Sequence, residues 1–514
     1  MADRPNFLCF CVDQMRGDHL GCAGHPLVRT PNLDALAGGG VRFDRAYCNN
    51  PLCMPSRATL FTGLTPRAHE VRTNGIPLDP RYPTIMDTLS AAGWRTHSVG
   101  KIHLRPFGLP ADVPPEDLDP LEWPESQAMW TSGRLKAMPA PYYGFQSAEI
   151  ALNHGHATHG DYGRWLEARE PRGRELMQRG SAGPGSDEGL TWPMALPEEL
   201  HFNTWVAERT IDFLERQPPG EPFFTWCSFP DPHLPWCAPE PWASMYDPAD
   251  VPMPTRREGE LDDLPPFYRR MYEEDMWCSG RTRATRMPDE QIRAILAMTF
   301  GMISFVDAQI GRVMAALERL GLRESTVICF LSDHGDMMGD HWMMNKGPFH
   351  FDGLLRMPFL WSGPGCAAGQ VCSGLTSYLD FAPTVLDLAG VPVPEGEFAP
   401  PEPARSQQLP AWAGPSFAPL VRGEAESVQD SVVAENDEDH LGLRLRTLIT
   451  QRYKLTAYPG QQFGELFDLQ EDPGELHNRW DAPALREVKR DLLIRLMERL
   501  VETDNRLPRR VTHA

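Results

Sequence analysis

The chain has 514 residues, of which 41% are hydrophobic and 23% are charged, which excludes a disordered or fibrous protein and allows a large core. Its 49 basic and 70 acidic residues give a net charge of −21, which argues against a protein that binds nucleic acid or anionic membranes. The 11 cysteines include no CxxC pair, so they indicate neither a disulfide framework nor a zinc ribbon.

The predicted elements begin with an apolar strand at residues 7–12, a run too short for the core of a signal peptide. No run reaches the length of about 18 apolar residues that a membrane helix needs. We therefore expect a cytoplasmic protein with no membrane partner. Helices at 32–37, 56–61 and 84–92 and a strand at 95–99 follow, and this alternation is typical of a parallel sheet with helices on both faces.

Little periodicity survives at about 105–200 and 239–287, which we interpret as insertions above the sheet. Between them, a predicted helix at 204–214 leads into a strand at 222–228. A long helical pattern at 290–320 then leads into a buried strand at 325–331. Gly301 and Gly311 weaken this pattern and predict a bend or a split in the helix.

A proline-rich stretch from 392 to about 415 separates the last part of the chain. Strands at 432–434, 443–450 and 453–457 and an amphipathic helix at 485–501 predict a small α+β subdomain at 416–514. The predicted fold class is α/β: residues 1–395 form a large mixed, mostly parallel sheet sandwiched by helices, and the smaller subdomain packs on it.

The strongest chemical signal is the string CMPSRATLFTG, which begins at Cys53 on a loop-to-helix junction and includes Arg57. A helix N-terminus and a nearby arginine lower the pKa of a thiol, although a cysteine taken alone is more often a buried hydrophobe. The string matches the signature C-x-P-S-R-A-x-L-x-T-G of type I sulfatases, the formylglycine-dependent members of the alkaline phosphatase superfamily. This resemblance implies that Cys53 is oxidised to formylglycine, whose hydrate is the nucleophile.

Two polar pairs, Asp13-Gln14 and Asp333-His334, directly follow predicted strands. Ligand sites form at such strand ends, and these oxygen and imidazole groups suit a divalent cation, although each pair alone is also a common strand-end cap. The resemblance implies that the four residues and Cys53 hold one metal ion. Many family members have Asp-Asp and Asp-Asn here. The present pairs look more like the phosphonate monoester hydrolase branch and related bacterial arylsulfatases, and they leave Ca²⁺ and Mn²⁺ both open.

Further segments resemble the anion-binding motifs of the family. They are GKIHL with Lys101 and His103, PDPHLP with His233, and NKGP with Lys346. The resemblance implies that these residues and Arg57 contact the formylglycine and the sulfate oxygens. It also implies that His233 or Lys346 protonates the leaving oxygen and that His103 accepts a proton when the covalent intermediate collapses.

Three weaker signals remain. Asn74 is similar to a pocket asparagine of the phosphonate hydrolase branch, but it fits a turn equally well. His154, His156 and His159 cluster in the first insertion, where they fit either a loop with rim histidines or substrate recognition. The string ELFDL at 465–469 resembles a C-terminal marker of the family fold, with Phe467 in a tyrosine position.

The sequence therefore predicts a sulfatase acting on a small activated sulfate monoester, assisted in its maturation by a formylglycine-generating enzyme. A phosphonate monoester or phosphodiester hydrolase with the same nucleophile stays open, because sulfuryl and phosphoryl groups are nearly isosteric. A non-catalytic anion-binding protein with an unmodified Cys53 is the remote alternative. The sequence leaves a monomer and a homo-oligomer both open.

Overall fold

An eight-stranded sheet forms the centre of the computed structural model, which describes residues 4–178, 191–274, 283–284, 287–393 and 413–503. Its strands are β1 (Asn6–Val12), β2 (Gly40–Phe43), β3 (Arg95–Gly100), β4 (Ser147–Glu149), β5 (Phe223–Ser228), β6 (Thr326–Ser332), β7 (Phe359–Ser362) and β8 (Gln370–Cys372). They lie in the order β8-β2-β7-β6-β1-β5-β3-β4, and β7 alone runs antiparallel to its neighbours in this sheet. The predicted mixed, mostly parallel sheet is confirmed.

Helices cover both faces of this sheet. They include α1 (Pro31–Gly38), α2 (Cys53–Thr62), α3 (Ile85–Ala91), α4 (Phe202–Glu215), α5 (Asp289–Arg319) and α6 (Phe381–Ala389), and a further helix, α7 (Arg486–Glu502), lies in the C-terminal part. Alternate side chains of β1 enter two different cores, one with residues of α2, α3 and α6 and the other with residues of α1, α4 and α5. Every residue of β1 is buried, as expected for a central parallel strand covered on both sides.

The long helix α5 is continuous, so the predicted split at its glycines is wrong, while the predicted bend stays a prediction. Both glycines permit close packing instead. A Cβ atom on Gly301 would lie 2.1 Å from the carbonyl oxygen of Trp242, and one on Gly311 would lie 2.5 Å from the Asn32 side chain. By length and composition alone α5 could cross a membrane. However, 83% of its most apolar 18-residue window is buried inside the protein, as in the core helix of a globular domain.

The predicted insertions contain short elements that lie beside the main sheet. The other α-helices among the described residues are Gln127–Thr131, Asp161–Arg169, Gly173–Gln178, Glu260–Asp263, Pro266–Glu274, Asp352–Leu355 and Ala418–Val421. The short strands are Ala46–Tyr47, Ala151–Leu152, His159–Gly160, Thr191–Met194, Trp236–Pro239, Arg283–Ala284, Met343–Met344 and Thr376–Ser377. The first insertion also adds β4 to the edge of the main sheet, beside β3.

A second, antiparallel sheet occupies the C-terminal part. Its strands are β9 (Ser431–Glu438), β10 (Leu443–Thr450), β11 (Tyr453–Ala457) and β12 (Gly464–Asp468), in that spatial order. Helix α7 packs on it through a small core that includes Leu448, Leu455 and Leu496. The predicted α+β element pattern is present here, while the domain boundaries themselves stay a prediction.

Candidate active site

The predicted site residues meet at the carboxyl edge of the central parallel strands. β1 ends at Val12 and β6 ends at Ser332, and these two residues are partners in the strand register. Asp13 and Asp333 therefore emerge side by side, and the N–H of Asp333 donates to the carbonyl of Val12 at 3.1 Å. Helix α2 begins at this edge with Cys53, whose side chain is buried. The topology thus gathers the predicted nucleophile and carboxylates at one place.

Four of the predicted metal ligands form one buried cluster. Asp13, Cys53, Asp333 and His334 each offer one ligand atom, and these atoms all lie within 4.8 Å of one another. The Nδ1–H of His334 donates to the carbonyl of Gly335 at 2.9 Å. In the neutral ring this leaves the lone pair of Nε2 facing the cluster, 3.1 Å from Cys53 Sγ, which is how a metal-binding imidazole is normally oriented.

Gln14, the fifth predicted ligand, lies beside this cluster with a left-handed φ of 66°. Its backbone N–H donates to Asp333 Oδ1 at 3.1 Å, and its side-chain amide donates to Asp336. The remaining oxygen, Oε1, is buried and has no hydrogen-bond partner among the described residues. A buried carbonyl oxygen without a partner is costly unless a ligand meets it. Two carboxylates, this amide oxygen and an imidazole fit a single divalent cation.

Arg57 compensates the charge of the two carboxylates. Its Nε donates to Asp333 Oδ2 at 2.8 Å, and its Nη2 lies 3.8 Å from Asp13 Oδ2. Its Nη1 donates to the carbonyl of Lys101 at 2.9 Å and to Ser228 Oγ at 3.1 Å. Burial by itself would raise the pKa of Asp333, but Arg57 outweighs burial and lowers it. Among the described residues, Nη2 donates no hydrogen bond to a protein acceptor, so it is the one nitrogen of this guanidinium without a hydrogen-bond partner.

Lys346 stands at the centre of the predicted anion site. Its Nζ lies 3.0 Å from Cys53 Sγ, 3.0 Å from His233 Nε2 and 3.0 Å from His334 Nε2. The lysine therefore joins the nucleophile position, the proposed metal ligands and the predicted leaving-group histidine. All four side chains are buried, so their electrostatic interactions are weakly screened.

The charges around Cys53 favour its ionised form. Burial and the neighbouring Asp13 would raise the pKa of the thiol, but Lys101, Lys346 and His334 outweigh them and lower it to about 7. The pKa of Asp13 is held well below its usual range, because Lys101 and the nearby histidines outweigh its burial. Lys101 itself contacts Asp13 directly. The site is therefore built to stabilise negative charge at position 53.

His103 lies next to Lys101 on the loop after β3. Its ring stacks on Phe107 with the centroids 3.9 Å apart, and its Nδ1 has no hydrogen-bond partner among the described residues. Burial, reinforced by Lys101 and Arg57, lowers the pKa of His103 well below its usual range. A neutral imidazole with an unpartnered nitrogen suits a proton acceptor.

Asn74 approaches the nucleophile from the other side. Its Oδ1 accepts a hydrogen bond from the N–H of Met54 at 3.0 Å. The contact that the structure shows is therefore with the first turn of α2, directly after Cys53, where the backbone N–H groups lack helical partners. This contact positions the nucleophile-bearing helix, and the substrate-binding role expected from the sequence stays a prediction.

Glu125, which sequence reasoning missed, holds the loop that carries Lys101 and His103. Its fully buried carboxylate accepts hydrogen bonds from the backbone N–H groups of His103 at 2.6 Å, Leu104 at 2.9 Å and Arg105 at 3.1 Å. The hydroxyl of Tyr142 donates to the same carboxylate at 2.7 Å. Nothing local marks Glu125 in the sequence, because its partners lie about 20 residues away along an aperiodic segment.

The three histidines of the first insertion separate in the structure. His154 enters the site: its Nε2 lies 2.8 Å from Lys101 Nζ, and its ring stacks on His233 with the centroids 3.5 Å apart. His156 instead lies against Trp192, at 5.7 Å between ring centroids. The Nδ1–H of His159 donates to the carbonyl of Ala157 at 3.1 Å within its own loop. One histidine of the cluster therefore belongs to the site.

Replacing Glu125 by Gln should loosen the His103 loop. An amide retains a single acceptor oxygen and turns an NH₂ group towards backbone donors, so we expect the free energy of unfolding to fall by about 1–3 kcal/mol. The turnover number should fall with it, because His103 loses its anchor. Equilibrium unfolding in urea and steady-state kinetics measure both effects. Glu122→Gln, an exposed substitution nearby, is the control. Equal stabilities of the two variants would contradict this role of Glu125.

Comparison with known proteins places the chain among sulfatases. Residues 5–391 match the family model Sulfatase, and residues 339–502 match the model of the C-terminal region of N-sulphoglucosamine sulphohydrolase. The chain is 28% identical to an arylsulfatase of Clostridium perfringens over 96% of its own length and 95% of that protein. It is 28% identical to a choline-sulfatase of Rhizobium meliloti, over 93% and 83%. Its fold matches the crystal structure of a phosphonate monoester hydrolase of Agrobacterium radiobacter with a TM-score of 0.79 and 29% identity, over 97% and 96%.

Proposed function

We propose that Cys53 is the nucleophile precursor of this enzyme and that its substrate is a small activated sulfate monoester, such as an aryl sulfate. The premise is that this chain belongs to the sulfatase family and is a hydrolase of sulfate esters. The observation that carries this proposal is the environment of Cys53 Sγ, which lies 3.7 Å from Asp13, 3.1 Å from His334 and 3.0 Å from Lys346. A formylglycine-generating enzyme would oxidise the side chain to an aldehyde. Its hydrate would place two hydroxyl groups where the sulfur now lies.

A divalent ion, Ca²⁺ or Mn²⁺, would be held by Asp13, Gln14, Asp333 and His334, and it would supply the positive charge that lowers the pKa of a hydroxyl at residue 53. Carboxylate and amide oxygens suit calcium, and the imidazole also suits manganese, so the proposal keeps both ions. The support from the structure is the donor set and the unpartnered Oε1 of Gln14.

The chain's own cations would stabilise the charge that develops on the transferred group. One hydroxyl of residue 53 forms a bond to the sulfur while the bond from sulfur to the leaving oxygen breaks. Lys101, Lys346 and the free Nη2 of Arg57 all lie around this position, at fixed places in a buried pocket. Donors that need no reorganisation during the reaction supply a large part of the catalytic effect.

His233 and Lys346 would deliver the proton to the leaving oxygen. The Nδ1–H of His233 donates to the carbonyl of Leu234 at 2.5 Å, so its Nε2 is the acceptor in the 3.0 Å contact with Lys346 Nζ. Burial holds the pKa of His233 well below its usual range, so Lys346 carries the proton of this pair. A proton from Lys346, directly or through His233, would neutralise the departing oxygen.

A phosphonate monoester or phosphodiester is the second candidate substrate. It is favoured by the similarity to the phosphonate monoester hydrolase of Agrobacterium radiobacter over 97% of the chain. Rates on 4-nitrophenyl sulfate and on a phenyl phosphonate monoester, measured with the same enzyme preparation, test the choice. A larger kcat/KM for the sulfate supports the first proposal, and a larger one for the phosphonate supports the second.

The modification of Cys53 can be tested by mass. Co-expression with a formylglycine-generating enzyme should lower the mass of the peptide that contains Cys53 by about 18 Da, since the thiol becomes an aldehyde. Cys53→Ala and Cys53→Ser should both lose turnover, because neither side chain can release sulfate by collapsing to an aldehyde. Cys22→Ala, at a half-buried cysteine outside the site, is the control. Full turnover by Cys53→Ala would contradict the assignment.

Metal content tests the ligand set. Asp13→Asn and Asp333→Asn each remove one negative charge from the cluster, so we expect the bound metal to fall from about one ion per chain to a small fraction of that. Elemental analysis after gel filtration measures the stoichiometry. Asp117→Asn, at an exposed aspartate, should leave it unchanged. Undiminished metal in both site variants, or two ions per wild-type chain, would contradict the proposed single-ion site.

The role of His103 can be separated from that of the anion-binding residues. After transfer, the second hydroxyl of residue 53 must lose a proton before the covalent sulfate ester collapses to the aldehyde and releases sulfate. With neutral His103 replaced by Ala, this step should slow, and the covalent adduct should accumulate to a level visible by intact mass spectrometry. A slow His103→Ala enzyme without any trapped adduct would leave His103 with an orienting role only.

A further inference from the structure

His154 joins the site from the first insertion, where no catalytic motif marks it. Its side chain is 11% exposed, and its Nε2 lies 2.8 Å from Lys101 Nζ and 3.2 Å from Asp13 Oδ2. Its ring is nearly parallel to that of His233, with an angle of 10° between the planes. The side chain of His154 therefore contacts both Lys101 and His233, on which the proposed chemistry depends.

The hydrogen-bonding roles at this contact follow from the chemistry of the groups. The shorter of the two polar contacts of Nε2 is the 2.8 Å contact with Lys101, whose ammonium can only donate, so we assign Nε2 as the acceptor from Lys101 and not as a donor to Asp13. His233 makes the matching contact with Lys346. The site thus holds two lysine-to-histidine hydrogen bonds whose imidazole rings stack on each other.

The insertion is fixed tightly enough to act on this pair. Gly155, which follows His154, has a φ of +50°, and a Cβ atom there would lie 2.5 Å from Cγ of Pro235 on the His233 loop. The N–H of His154 also donates to the Oδ1 of Asn153 at 3.0 Å. The backbone of the His154 loop at Gly155 therefore packs against the Pro235 side chain of the His233 loop. Because the contact is close, a shift of one loop displaces the other.

We infer that His154 is a positioning residue for the reaction: its Nε2 orients the Lys101 ammonium towards the sulfate oxygens, and its ring face holds the imidazole plane of His233 for proton delivery to the leaving oxygen. This inference rests on the proposed function. It assigns to the insertion two separable effects, one on anion binding and one on leaving-group departure, because the acceptor nitrogen and the ring face act on different partners.

Two variants separate the effects. His154→Ala removes both the acceptor and the ring face, whereas His154→Phe keeps a stacking ring and removes the acceptor. We expect His154→Ala to lower kcat/KM for 4-nitrophenyl sulfate about tenfold and to weaken binding of inorganic sulfate, since small misplacements of catalytic groups cost about this much or more. The loss should grow for aryl sulfates with poorer leaving groups. His154→Phe should bind sulfate as weakly as His154→Ala but recover the leaving-group dependence of the wild type.

The measurements are kcat/KM across a series of aryl sulfates and the affinity for inorganic sulfate by titration calorimetry, on enzyme of verified metal content and unfolding temperature. His156→Ala, at the histidine that lies against Trp192, is the matched control. A His154→Ala enzyme that matches this control in both readouts would overturn the inference, and so would a His154→Phe enzyme that restores both, since packing alone would then suffice. A wild-type enzyme inactive on every sulfate ester would overturn the proposed function, and the sulfate affinities would still decide the role of His154.

Discussion

Two buried carboxylates, Asp13 and Asp333, set the electrostatic constraint on which the rest of the site depends. Removal of such charges from water costs several kcal/mol each unless cations compensate them in good geometry. Arg57 meets Asp333, and Lys101 meets Asp13, each by direct contact. The resulting cluster has an acceptor atom left over on Gln14 and a basic group, Lys346, beside the nucleophile position. The side chains that compensate the buried carboxylates are therefore the same ones to which we assign the proposed anion binding.

The part of the site that could be predicted from the sequence is the part that directly follows strands. A buried apolar run that ends in Asp13 or Asp333 indicates both a strand and a ligand edge, and the parallel topology then brings such edges together. The α2 motif was equally local, because its signature is contiguous from Cys53 to Arg57. For these residues, local pattern and tertiary arrangement agree, which is why the sequence predicted their neighbourhood.

The rest depends on contacts between distant segments that leave no periodic signal. The glycines of α5 weaken a helical pattern, yet each is explained by a distant neighbour, the carbonyl of Trp242 for Gly301 and the side chain of Asn32 for Gly311. No local propensity contains such contacts. Glu125 and His154 lie in a segment without regular structure, and their partners become visible only when the insertion folds over the β3 loop. A carboxylate that accepts hydrogen bonds from the backbone N–H groups of a distant loop, as Glu125 does, has no sequence signature of its own.

On this proposal, the first insertion affects the reaction by positioning residues of the site, which is different from contacting the substrate itself. Its residues reach the site through groups that already belong to the strand-end framework: Glu125 through the backbone at His103, and His154 through Lys101 and His233. A change in such a residue acts on the orientation of charged groups in a buried pocket, where the electrostatic energy varies steeply with distance. On the proposed mechanism, variation in the insertion would accordingly alter anion binding and leaving-group preference, while the carboxylates at the strand ends, which are the proposed metal ligands, keep their positions.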